Sequence, residues 1–173
     1  MKKEELIGEI KSAFKNVKLE DGIGLWEAQG LDDYADSKTI LELRKKDETE
    51  DWSAISFKDI SFCASSLSFF DAKGMKFCLP KFLMLDILEP NEHDDQESYP
   101  VDVLFTLGLN GKYQIQRFSL FNNRQKECVI CYLKYKLNNI EEKYEEYSVN
   151  LGWFKDDPEY INLMNILHQW EEF

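Results

Sequence analysis

The sequence predicts a mainly α-helical domain with one small β-hairpin, on three observations. From Phe69 to Leu88 the chain reads FFDAKGMKFCLPKFLMLDIL, its densest apolar run, which is too apolar for a helix that lies on a surface. Apolar residues recur at three- and four-residue spacing near both ends, the mark of helices with one buried face. Between residues 101 and 115 the period changes to two around Asn110-Gly111, a hairpin signal. The length of 173 residues and the absence of a Gly/Ser/Pro linker predict one domain, 1–173.

Taken in order, residues 2–16 form a helix with Leu6, Ile10, Phe14 and Val17 on one face and Lys and Glu on the other. Gly22 and Gly24 interrupt it. A second helix over IGLWEAQGLDDYAD carries Leu25, Trp26 and Leu31 and ends on Asp32, Asp33 and Asp36. Carboxylates late in a helix oppose its macrodipole, so they point to a role or to an early stop. Ile40, Leu41 and Leu43 dock a short helix ahead of a charged loop, and Trp52, Ile55 and Ile60 return to the core. Ser65 to Phe70 is read as a short helix or turn.

In the central run, Gly74 marks a turn or a helix end, and Pro80 suits the first position of a helix that reaches about Glu89. Glu89 to Ser98, with five acids and no Lys or Arg, has the composition of an exposed loop. Val101, Val103, Phe105, Leu107 and Leu109 alternate before the Asn110-Gly111 turn, and Tyr113 and Ile115 after it. Asn122 caps a long helix whose first half is apolar on two sides, with Ile130, Leu133 and Leu137 on one and Cys128, Cys131 and Tyr135 on the other. Its second half is amphipathic. Asp157 caps a last helix started by Pro158, with Leu163, Leu167 and Trp170 as the buried stripe.

Composition narrows the function. Thirty-three acids against 21 bases give a net charge of −12, which disfavours nucleic acid and anionic membranes and favours a basic partner. The start, MKKEELIGEIKS, has no secretory signal and no stretch is apolar enough to span a bilayer, so a soluble, cytoplasmic protein is expected.

Signals for chemistry are weak. Cys128 and Cys131 form a C-x-x-C inside a helix rather than at its N-terminus, so with Cys63 and Cys78 they read as buried apolar thiols instead of a redox or zinc site. Glu92, His93, Asp94 and Asp95 have metal-binding atoms but no ligand spacing. His168 lies among glutamates on the last helix. Gly22-x-Gly24 with Gly30 lacks the strand and the Lys-Ser/Thr of a nucleotide loop, and no G-x-S-x-G occurs. No catalytic residue, cofactor or metal ligand is therefore assigned.

The segment LSFFDAKGMKFCLPKFLMLDIL resembles the aromatic-x-Leu-Pro-x-aromatic signature of a family of small bacterial proteins of unknown function. GLWEAQGLDDY, the DW-x-x-I of Asp51 to Ile55, and the Q-x-x-x-V-x-x-Y-L of Gln125 to Leu133 are similar to its other recurring segments. Cys78 departs from the aromatic residue commoner at its position. The resemblance implies a mainly helical bacterial cytosolic protein and supplies no catalytic residues. Small acidic proteins of such families often act as immunity partners of toxins, an analogy of class.

These readings converge on a non-enzymatic protein, a monomer or weak homodimer, that occludes a basic toxin or effector. Trp26, Asp32, Asp33, Tyr34, Asp36, Glu92, Asp94 and Asp95 are the expected contact residues, acids steering the encounter and aromatics anchoring it. The alternatives are a small metal-dependent hydrolase using Asp32, Asp33 and Asp36 with His93, and a structural subunit that self-associates.

Overall fold

The computed structural model describes residues 1–88, 92, 101–146 and 153–173. Nine α-helices and no strand occur among them. The helices are α1 (Lys3–Ala13), α2 (Leu25–Asp32), α3 (Ser37–Arg44), α4 (Phe57–Phe62), α5 (Ala72–Ile87), α6 (Val103–Leu107), α7 (Lys112–Arg117), α8 (Asn123–Glu146) and α9 (Pro158–Glu172). Short 3-10 turns occupy Trp52–Ala54, Ala64–Ser68 and Trp153–Asp156. No helix among the described residues is long and apolar enough to cross a membrane.

The central helix, α5, starts well before Pro80. Asp71 is its N-cap, and its Oδ1 accepts from the Gly74 amide at 2.8 Å and from the Ile23 amide at 3.1 Å. Gly74 is thus a helix residue rather than a turn. It has to be glycine because a Cβ there would run into the Ile23 carbonyl. Pro80 sits in the helix interior, where its ring removes a backbone bond at a cost of about 3 kcal/mol. Burial offsets that loss, since Phe77, Cys78, Leu79, Phe82 and Leu83 have no exposed surface and each large side chain contributes roughly 1.5–3 kcal/mol.

Two polar residues on α5 both find partners. Lys81 donates to the Ser53 carbonyl at 3.0 Å and lies 4.0 Å from the Phe57 ring centroid. Asp86 accepts from the Tyr132 hydroxyl at 2.6 Å and from Lys136 at 2.9 Å.

The expected hairpin is not formed: residues 103–107 and 112–117 are short helices. Asp102 caps the first by accepting from the Phe105 amide at 2.8 Å. Burial then follows a helical period, with Val103, Thr106 and Leu107 inside and Phe105 out. Gly111 has φ 176°, an extended backbone, so Asn110-Gly111 does not make the left-handed turn a two-residue hairpin needs.

The long helix α8 is as expected. Asn122 and Gln125 exchange side-chain bonds with each other's amides at 3.0 and 3.1 Å, a reciprocal cap. Gln125 is buried and also donates to the Ala13 carbonyl at 3.3 Å. Helix α8 packs against both α1 and α9. Behind it Phe14, Phe121, Phe118, Trp170 and Phe173 form a chain of edge-on rings with centroids 5.0–5.7 Å apart. The indole of Trp170 donates to the Leu107 carbonyl and that of Trp52 to the Phe14 carbonyl, both at 2.8 Å. At α9, Asp157 caps by accepting from the Glu159 and Tyr160 amides, with Leu163, Leu167 and Trp170 buried as expected.

Candidate functional site

Five of the eight expected contact residues, Trp26, Asp32, Asp33, Tyr34 and Asp36, lie along α2, its C-terminal turn and the start of α3. The N-cap of α2 is Gly24, which has no side chain to bond the free amides. Asp47 supplies one from the loop after α3, accepting from the Trp26 amide at 2.6 Å and from the Glu27 amide at 3.3 Å. A Cβ at Gly24 would collide with that carboxylate. Burial pushes the Asp47 pKa up to about 6, against the two amide bonds that pull it down. Arg44 pairs with Glu27 beside it.

At its other end α2 closes in a Schellman motif. The Ala35 amide bonds the Gly30 carbonyl and the Tyr34 amide bonds the Leu31 carbonyl. This puts Tyr34, with φ 53°, in the left-handed position that glycine usually fills, and leaves it 95% exposed. A non-glycine residue there costs about 1 kcal/mol. The stop comes earlier than the apolar spacing implied, so the three aspartates do not all lie late in one helix. Asp32 is the last residue of α2, Asp33 is the C-cap and accepts from Gln29, and Asp36 is the N-cap of α3, accepting from the Thr39 amide at 2.8 Å. That amide bond lowers the Asp36 pKa.

Trp26 is half-buried, its ring centroid 5.4 Å from that of Phe62 and 4.8 Å from the Lys46 ammonium. Phe62 is 65% exposed. Trp26 and Phe62 thus form one aromatic pair at the start of α2, while Tyr34 is displayed past its other end among Asp32, Asp33 and Asp36. Phe62 was not expected from the sequence; its signal is FKDISF, where Ile60 and Ser61 turn inward and leave the last aromatic outside.

The other expected contacts are not brought here. Glu92 pairs with Lys3 at 2.7 Å, and Asp94 and Asp95, like His93, lie outside the described residues. No group of three His, Cys, Asp or Glu is placed to hold a metal ion among the described residues. Cys63, Cys78 and Cys128 are buried and Cys131 is half-buried. Burial pushes the Cys63 and Cys128 thiols up to about 12, far from a reactive thiolate. His168 is exposed beside Glu172.

Two lysine-lined recesses also carry acids, Glu50 and Asp51 in one and Glu20 in the other. Lys11, Lys15 and Lys81 line a recess of about 680 Å³, and Lys15, Lys18, Lys73 and Lys76 one of about 530 Å³. Several of these lysines are already paired, Lys18 with Glu50 and Lys73 with Glu20 and Asp21.

A family model matches residues 2–159, nearly the whole chain. The chain belongs to DUF6714, a family of unknown function. No curated protein and no solved structure matches it. For this DUF6714 member the site must accordingly be read from its own geometry.

Proposed function

We propose that this DUF6714 chain is a non-catalytic binding protein that docks a basic protein partner on the α2–α3 corner, in the manner of a bacterial immunity protein that occludes a toxin or effector. The observation that carries the reading is Tyr34, a fully displayed aromatic kept in a backbone conformation where glycine would be more stable. Exposed aromatics with few rotamers make strong interface anchors. Asp32, Asp33 and Asp36 beside it would steer a basic partner and set its orientation, on a chain of net charge −12. In this reading the protein works in the cytosol as a monomer or weak homodimer.

Titration of the purified chain with the product of the adjacent gene, at low and at physiological salt, tests it. Binding that weakens with salt and is lost in Tyr34→Gly is expected. Absence of binding at both salt concentrations overturns the proposal. The hydrolase alternative has less support, because Asp33 and Asp36 are engaged in local bonds and do not converge on a common point.

A further inference from the structure

We propose that the recess between α7 and the start of α5 binds a small monocarboxylate with a planar apolar body, held by Arg117. The recess is about 260 Å³ and is walled by Ile23, Phe69, Phe70 and Tyr113, with Gln116 at its exposed rim. Arg117 is 6% exposed, yet no acidic side chain pairs with it among the described residues. A buried guanidinium without a counter-charge is costly.

Its hydrogen bonds show where the partner belongs. Nη1 donates to the Leu67 carbonyl at 2.6 Å, whereas Nε is buried with no acceptor. Nη2 bonds no described residue and, unlike Nε, is not buried away from solvent. The unoccupied Nε–Nη2 edge is one that a carboxylate grips with two parallel bonds. Tyr113 lies over the guanidinium, whose carbon is 5.1 Å from the ring centroid. This ring is 58% exposed and tied by a 3.2 Å bond from its hydroxyl to the Ser68 carbonyl, so a ligand is admitted when it turns aside. Burial lowers the Arg117 pKa without neutralising the group at physiological pH.

The walls select the class of ligand. Phe69, Ile23 and the Tyr113 ring call for an apolar body, and a planar one can pack against the aromatic rings. No lysine lines the recess and Asp71 does, so a phosphate or a dianion would meet one cation and a repelling carboxylate.

The test is calorimetric titration of the full chain with phenylacetate, inorganic phosphate and an acetylated peptide ending in phenylalanine. Arg117→Met and Ala72→Leu are compared with the parent, and circular dichroism checks their folding. Phenylacetate is expected to bind with one site per chain, at least about thirtyfold more weakly in Arg117→Met. Ala72→Leu, which fills the recess and leaves the arginine in place, is expected to abolish binding; it carries the test alone if Arg117→Met does not fold. The proposal is overturned by an absence of heat up to about 10 mM phenylacetate or by equal affinity in the folded variants. Tighter binding of phosphate, or binding of the peptide without the free acid, overturns it as well.

Discussion

Helices α5 and α2 begin alike and end differently. Each has an aspartate on its first amides and a glycine pressed against a neighbour, Asp71 with Gly74 and Asp47 with Gly24. In α5 twelve of sixteen residues are buried and even the two internal polar side chains are partnered; in α2 only Leu25, Ala28 and Gly30 are buried. Its cap comes from a distant loop at an electrostatic cost, and its C-terminus holds an exposed tyrosine in a glycine conformation. In α5 the cost of Pro80 is offset by burial on nearly every side, whereas in α2 the costs of the Asp47 cap and of Tyr34 have little burial to offset them. On the proposed function, the second pattern is what a docking surface would leave behind if selection favoured contact over stability.

The sharpest way to break this contrast is at the hub. Leu83→Ala should lower the unfolding free energy in urea by about 2–5 kcal/mol through the cavity it leaves, and partner binding should fall only with the folded fraction. Lost binding in fully folded protein would place function at the hub instead. Asp71→Ala should cost about 1–2 kcal/mol, since it removes the α5 cap and the tie to Ile23 together.

Asp47 gives a signed pH effect. Its folded pKa of about 6 exceeds the ordinary 3.8, so the native state binds the proton more readily and stability falls as pH rises through about 4 to 6. With solvent screening at a half-buried site, the change is roughly 1–2 kcal/mol. Asp47→Asn should flatten that window. Asp36 and Asp157, whose pKa values are lowered, act in the opposite sense and only below about pH 4, as pH falls through their folded values. The smallest effect is the most diagnostic: Tyr34→Gly should raise stability by about 0.5–1 kcal/mol while weakening the partner complex. A variant that is both less stable and unimpaired in binding would remove Tyr34 from the argument.

How much could be read beforehand depended on the range of the determining interaction. The α8 cap by Asn122, the Asp157-Pro158 start of α9 and their apolar stripes are local patterns, and they fold as their spacing implies. Val101 to Ile115 alternates as well as it spirals, and the choice falls to the Asp102 cap and the burial of Val103 and Leu107 against neighbours distant in sequence. Gly74 reads as a turn in the sequence for the same reason, because only the Ile23 carbonyl, far away in the chain, explains it. At the corner Trp26, Tyr34 and the aspartates were legible as exposed chemistry, but their separation into a cap, a C-cap and a displayed ring required the backbone. Arg117 left only a faint trace: one of three arginines, set directly before Phe118 in a chain that otherwise uses lysine.

Lys81 and Asp86 give α5 something its apolar surface cannot. A greasy cylinder can settle into a greasy hole at several rotations and several depths with little difference in energy. The two charges reach opposite neighbours, the Ser53 carbonyl and the Tyr132–Lys136 pair, and both are met in one setting alone. With the Asp71–Ile23 tie they act as keyways: exchanging both for leucine should leave a helix that still enters the core but is held in its setting from one end alone.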